Sequence, residues 1–320
     1  MYTRLKHTHT HPHNTPFAVV NKKVLNVWPA PMTVGTLQLG IGAAYASLVW
    51  TVGLRSRPVV AGTVATSLKR VGLWHSLGQL CTMMSLGAGP VSFTHIVKAL
   101  EPFFSAMVSA LLLGQWMPIP VYMTLLPVVG GVGYACLKER AFSWLAFGMA
   151  MLSNLSFALR AVLSKSAMTT AKATTTGIAN LTPPNVFGLV TIAAFLVSIP
   201  LAILGEGATV QDTLSKALEQ QAAPVLARSV LLSGLFHYLN NEVMYLALGS
   251  VHPITLAVGN TMKRVFIMVA SVMVFRNEIT SQAAVGSAIG IGGVLLYSLT
   301  KQYYEKQGPT AAVNDKKKKR

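Results

Sequence analysis

An all-α, polytopic membrane fold is what this sequence predicts, and three observations predict it. Just over half of the 320 residues are apolar (52%) and only 11% are charged, with a mean hydropathy of +0.52, a balance that belongs in lipid. Apolar runs of about 20 residues, the length needed to cross a bilayer, recur along the chain with short polar connections. Small residues recur inside those runs, as at Gly130, Gly131 and Gly133 or Gly286 and Gly290, which favours close helix–helix approach over lipid contact.

Nine runs qualify as candidate spans: 32–54, 72–90, 91–115, 117–137, 142–166, 184–204, 224–249, 251–275 and 280–300. Three connections are longer than the rest: 55–71, which carries Arg55, Arg57, Lys69 and Arg70; the Thr-rich 167–183; and the polar 205–223. Helices joined by the short ones are antiparallel neighbours in one bundle. Residues 1–16 are an arm rich in His and Thr. Its alternating His7, His9, His11 and His13 can ligate a metal, but low complexity is the better reading, and the expected cofactor is none. Nothing in this arm has the apolar core of a secretory signal. Residues 306–320 form a tail ending in five basic residues, read as solvated or lying against anionic lipid. Between them, 17–305 is read as one membrane domain whose halves are roughly 17–140 and 141–305.

Those halves echo one another. A shift of about 161 residues lays Thr94 on Thr255, Val97 on Val258, Met107 on Met268 and Val108 on Val269. Half-chain repeats of this kind are common in transporters, where the two halves close around a site near the bilayer midplane.

Charge identifies the candidate site. Lys plus Arg number 26 against 9 acidic residues. The apolar runs leave no room for a separate basic domain, so nucleic acid is not the expected partner. Cys81 and Cys136 lie inside apolar runs and read as core. An ionisable side chain at the bilayer centre costs on the order of 2.5–3.5 kcal/mol on insertion scales, so each one needs a partner or a wet cavity. Lys98, Glu101, Arg160, Glu242, Lys263 and Arg264 all fall inside candidate spans. Lys98 and Glu101, three residues apart, can pair along one helix face, whereas the adjacent Lys263 and Arg264 have no acidic neighbour in their own run. Four deep cations against two deep carboxylates leave an excess of two positive charges. A phosphate monoester, with roughly −1.5 to −2, would neutralise it. Arg offers phosphate a planar fork and Lys a point charge, and Thr94, Thr82 and Gln79 can complete the shell. No GxxxxGK[ST] loop and no HExxH occurs, so an ATP-driven pump or a metallohydrolase is not indicated; the expected chain is not an enzyme.

At these residues the sequence resembles the plastidic phosphate translocators of the drug/metabolite transporter superfamily. The stretches that carry the likeness are VSFTHIVKALEPFFS at 91–105, AVGNTMKRV at 257–265, NLSFALR at 154–160 with Ser164 and Lys165, and NKKVLN at 21–26. The resemblance spans about 17–305. It implies ten helices in two inverted five-helix halves, alternating access, and exchange of inorganic phosphate for phosphorylated metabolites across a plastid inner envelope or complex-plastid membrane. It further implies that Lys98, Lys263 and Arg264 hold the phosphate, and that Arg160, Thr82, Thr94, Gln79 and Asn240 complete the site.

Three departures from the family pattern stand out. Gln79 replaces a substrate-contacting histidine of the triose-phosphate members, and Asn240 replaces a tyrosine. Both are positions that read the carbon skeleton, which leaves triose phosphate, 3-phosphoglycerate and phosphoenolpyruvate open as substrates. The third concerns the family's first helix. Only its end is recognisable at 21–26, so a helix is expected to be missing or truncated there. Related superfamily members carry nucleotide sugars across endoplasmic reticulum and Golgi membranes, and Lys317 and Lys318 match a dilysine retrieval pattern; that class is the alternative.

Overall fold

A computed structural model describes residues 17–60, 62–136, 142–173, 179–250, 253–275 and 280–318. Side chains are described for these except 17, 63, 168–173, 248–250, 253–258, 260, 261, 264 and 306–318. The arm at 1–16, and with it the histidine alternation, lies outside the described residues, as do the side chains of Arg264 and the tail.

Among the described residues thirteen helices form: α1 (Phe17–Val27), α2 (Pro31–Thr51), α3 (Gly62–Ala88), α4 (Val91–Lys98), α5 (Glu101–Leu113), α6 (Ile119–Met123), α7 (Leu125–Cys136), α8 (Trp144–Ala173), α9 (Pro183–Glu206), α10 (Val210–Gln220), α11 (Ala223–Ser250), α12 (Pro253–Phe275) and α13 (Ser281–Lys318). Two predicted spans are interrupted, and proline explains the first. Pro102 has no N–H to offer the carbonyl of Lys98, so the chain tightens, with Phe103 N bonding to Leu100 O (3.0 Å), and α5 restarts at Glu101. α6 and α7 likewise form one span, Ile119–Cys136.

Six described helical segments are long and apolar enough to cross a membrane, and a seventh results if α10 and α11, bent by 113° to each other, count as one. The predicted spans at 72–90 and 251–275 form helices, α3 and α12, and of the two α3 falls short of that measure. The reason is physical. α3 buries the polar side chains of His75, Ser76, Gln79 and Ser85. Helices that line a polar cavity cannot be apolar on every face.

Three boundaries differ from the sequence reading. Residues 17–27, where only a helix end was recognisable, form α1, a helix of 11 residues and roughly 16 Å. The connection 205–223 contains the amphipathic α10, whose Val210, Leu214 and Ala217 pack against the core at that end of the bundle. α13 continues to Lys318, beyond the tail boundary drawn at 305.

Glycines set the closest packing. Where α7 meets α13, a Cβ on Gly286 would lie 2.6 Å from Gly131 O, and one on Gly131 would collide with the backbone of Gly290. Gly130 and Gly133 have open space beside them, so only part of the predicted glycine stripe serves helix contact. Ionic caps act at a distance. Glu206, the last residue of α9, accepts hydrogen bonds from Met32 N, Thr33 N and Thr33 Oγ1, each 2.8 Å. It thereby satisfies the unpaired amides at the start of α2 and opposes their partial positive charge. Lys22 does the converse at the end of α3, donating to Leu86 O (2.7 Å) and Gly89 O (3.0 Å).

Gly131→Val should therefore lower the melting temperature of the detergent-solubilised protein, corresponding to a loss of about 1–3 kcal/mol, while Gly130→Val changes it little. Equal losses in a thermal-shift comparison would contradict the α7–α13 interface described.

Candidate functional site

α3, α4, α8, α11 and α12 enclose a cavity of ≈ 1130 Å³. Its floor is Ala18, Leu86 and Ile267, continuous with an apolar plug of Trp28, Val34, Met83 and Leu226. Its mouth lies at the opposite end of the bundle, among the 115–118 connection, Lys165, Tyr245 and Lys301.

Of the eight residues singled out in the sequence, six line this one cavity: Gln79, Thr82, Lys98, Arg160, Asn240 and Lys263. Lys98 and Lys263, far apart in the chain, thus come together. Arg264 follows Lys263 on α12, but its side chain lies outside the described residues. Thr94 is not among the lining residues. Its hydroxyl pairs with Ser85 Oγ at 2.9 Å in the α3–α4 contact and is fully buried; one turn from Lys98 on the same helix, it faces α3 rather than the cavity.

Lys98 and Arg160 are held from the protein side. Lys98, on the last turn of α4, donates to Ser153 Oγ (2.8 Å) and Thr82 Oγ1 (3.3 Å). Both hydroxyls in turn lie against Gly78 O, at 3.1 and 2.8 Å, so their lone pairs are aimed at the ammonium. Asn154 Nδ2, next to Ser153, donates to Val97 O (2.9 Å) and fixes α4 against α8. Arg160 approaches His75 Nδ1 at 3.0 Å. A guanidinium only donates, so that ring nitrogen is the acceptor, and His75 stacks on His237 at 6.1 Å.

Phe157 joins the two cations. Lys98 Nζ lies 4.6 Å and Arg160 Cζ 4.7 Å from its ring centroid. An aromatic face attracts cations without neutralising them, so the ring holds two positive charges at a fixed separation while leaving their charge for a ligand. Gly78 makes this seat, since a Cβ there would lie 2.7 Å from the ring. Phe157, Ser153 and His95, another lining residue, were missed in the sequence; Phe157 sits inside the 154–160 motif, but a lone aromatic in an apolar run gives no signal of its role.

The charge count also changes. Glu242, counted from sequence against the deep cations, is not a lining residue; it pairs at 2.7 Å with Arg55 of the α2–α3 connection. The described charges that line the cavity are Lys98, Arg160, Lys165, Lys263 and Lys301 against Glu101 and Glu305. This is a polar, cationic chamber within an apolar bundle, suited to an anion of more than one charge. Among the described residues no group of His, Cys, Asp and Glu side chains has the arrangement of a metal site.

Comparison with known proteins agrees with this chemistry. The family model described as Triose-phosphate Transporter family matches residues 10–298. The chloroplastic triose phosphate/phosphate translocator of Pisum sativum is 39% identical over 295 residues, covering 92% of this chain and 71% of that protein. The Zea mays translocator of the same name is also 39% identical, over 92% of this chain and 70% of its own. The chloroplastic phosphoenolpyruvate/phosphate translocator 1 of Oryza sativa subsp. japonica is 37% identical over 290 residues, covering 90% and 69%.

Phe157→Leu keeps the bulk but removes the ring face. With inorganic phosphate as probe anion, the concentration giving half-maximal thermal stabilisation should rise about three- to tenfold, and Phe157→Tyr should restore it. An unchanged value in Phe157→Leu would show that the ring does not position the cations.

Proposed function

Because this chain belongs to the Triose-phosphate Transporter family, we propose that it exchanges inorganic phosphate for phosphorylated three-carbon compounds across a plastid envelope membrane. The observation that carries this reading is the convergence of Lys98 and Lys263 on one cavity. In it Lys98, Lys263 and Arg264 clamp the phosphate, Thr82 and Arg160 complete the site around them, and Gln79 and Asn240 read the carbon skeleton. Lys supplies point charges and Arg the bidentate fork.

Transport follows by alternating access. The apolar plug beneath Leu86 closes one end while the mouth near Lys301 stays open, and moving the closure from one end to the other passes the ligand across. The transporter domain is 17–305, built as two inverted five-helix halves. Supporting this, α11, α12 and α13 begin 161, 162 and 162 residues after α3, α4 and α6. Contacts are reciprocal as well, α2 with α11 and α3 with α9, α5 with α8 and α1 with α12. An odd number of spans per half inverts the second relative to the first.

The test is uptake of labelled phosphate into liposomes that contain the purified chain and are loaded with dihydroxyacetone phosphate. Wild type should take up label. Lys98→Ala and Lys263→Ala should each lose at least tenfold, and Arg264→Lys, which keeps charge but loses the fork, should fall sharply with normal insertion. Wild-type rates in these variants would overturn the clamp, and competition by nucleotide sugars rather than by three-carbon phosphates would overturn the substrate class.

A further inference from the structure

A buried chain of amides leads away from the cavity at Gln79. Gln79 Nε2 donates to Gln38 Oε1 at 2.7 Å. Gln38 Nε2 donates to Asn21 Oδ1 at 3.0 Å and to Ser233 Oγ at 2.5 Å. Ser233 Oγ donates to Asn21 Oδ1 at 2.6 Å, and Asn21 Nδ2 points to Met83 Sδ at 3.8 Å. All four polar residues are buried, with exposures from 0% to 3%. They come from α3, α2, α11 and α1.

The direction of this chain is set at its inner end. A thioether accepts and cannot donate, so Asn21 turns Nδ2 to Met83 and offers Oδ1 to the other side. An oxygen there requires donors opposite it, which brings Gln38 Nε2 and the Ser233 hydroxyl toward it. Gln38 is then left with Oε1 facing α3, and Gln79 must answer with Nε2. Reversing any one amide would oppose two acceptors or two donors in a dry setting, where each unmatched group costs about 1–3 kcal/mol. The polarity of Gln79 is therefore decided about two residues away, and its carbonyl Oε1 is left on the cavity side.

We infer that Gln38, with Asn21 and Met83 behind it, is a positioning residue that makes Gln79 a hydrogen-bond acceptor for substrate, so that the site selects phosphorylated three-carbon compounds bearing a free hydroxyl over phosphoenolpyruvate. The inference rests on the proposed function and specifies its substrate. A hydroxyl donates to Oε1. Phosphoenolpyruvate has no donor at neutral pH and sets only carboxylate oxygens or a methylene against it. A site built to bond a hydroxyl discriminates strongly against the analogue without one, because its own polar group is then left unmatched.

The matched pair for the test is 2-phosphoglycerate and phosphoenolpyruvate. They share a carboxylate at C1 and a phosphate at C2 and differ by the elements of water, a C3 hydroxyl in the one and a C2=C3 double bond in the other. Each is titrated as an inhibitor of labelled phosphate uptake into liposomes holding the full chain. Wild type should prefer 2-phosphoglycerate by about tenfold or more. Gln38→Leu, which frees Gln79 to turn, should bring the ratio of inhibition constants to within about twofold. Gln38→Glu, which keeps an acceptor toward Gln79, should restore most of the preference; loss of packing alone would not give that pattern. Met83→Leu is nearly isosteric and serves if neither Gln38 variant folds; the ratio should fall at least twofold. Equal inhibition of wild type by the two compounds, or an unchanged ratio in Gln38→Leu or Met83→Leu, would overturn the inference while leaving phosphate exchange intact. Inhibition by neither would overturn this inference alone, whereas absence of labelled phosphate uptake would overturn the proposed function and this inference together.

Discussion

Lys98 and Lys263 project into a single chamber inside a bundle whose outer surface is apolar, and positive charge in that position has to be met by water, by hydroxyls or by an anion. Much of the architecture follows from meeting it. α3 gives up hydrocarbon character to line the chamber, and the more apolar α9 packs against it. Hydroxyls of Thr82 and Ser153 receive the Lys98 ammonium, and the Phe157 ring receives it from another direction. None of these three groups carries a negative charge. Glu242, which might have quenched the chamber, is held by Arg55 instead.

The two ends of the bundle are treated differently. One is closed by apolar packing around Trp28, Val34, Met83 and Leu226 and pinned by Glu206 on the α2 N-terminus and Lys22 on the α3 C-terminus. Directly above that plug lies the amide chain from Asn21 to Gln79. Anything that changes the hydrogen bonding of Gln79 in the cavity is therefore felt by α1, α2 and α11, the helices that meet at the closed end. On the proposed function, those residues are where ligand binding would be linked to closure.

The parts legible in the sequence were those that follow from cost. Apolar runs must be spans, and charges within them must share a cavity, so α2 and α9 and the meeting of Lys98 with Lys263 were readable before any geometry. What escaped depends on partners distant in the chain. Thr94 lies on the right helix but faces Ser85, and a three-residue offset does not reveal which neighbour a helix face will meet. Phe157 carries no charge, so nothing marked it as the spacer between Lys98 and Arg160. Arg55 sits in a connection that only the fold brings to Glu242, 187 residues away. α10 was hidden because an amphipathic helix at the bundle end has too little apolar length to register as a span.

On the proposed function, an unfilled chamber is costly to seal away from water, because among its described lining charges Lys98, Arg160, Lys165, Lys263 and Lys301 outnumber Glu101 and Glu305. A filled one is neutralised and can close. On the proposed function exchange is then obligatory, the protein returning only when loaded. The most direct measurement is efflux of labelled phosphate from loaded liposomes bearing the chain, with and without unlabelled phosphate outside. Efflux should be at least tenfold faster when phosphate is present outside. Equal efflux into phosphate-free medium would contradict obligatory exchange driven by the excess of lining cations.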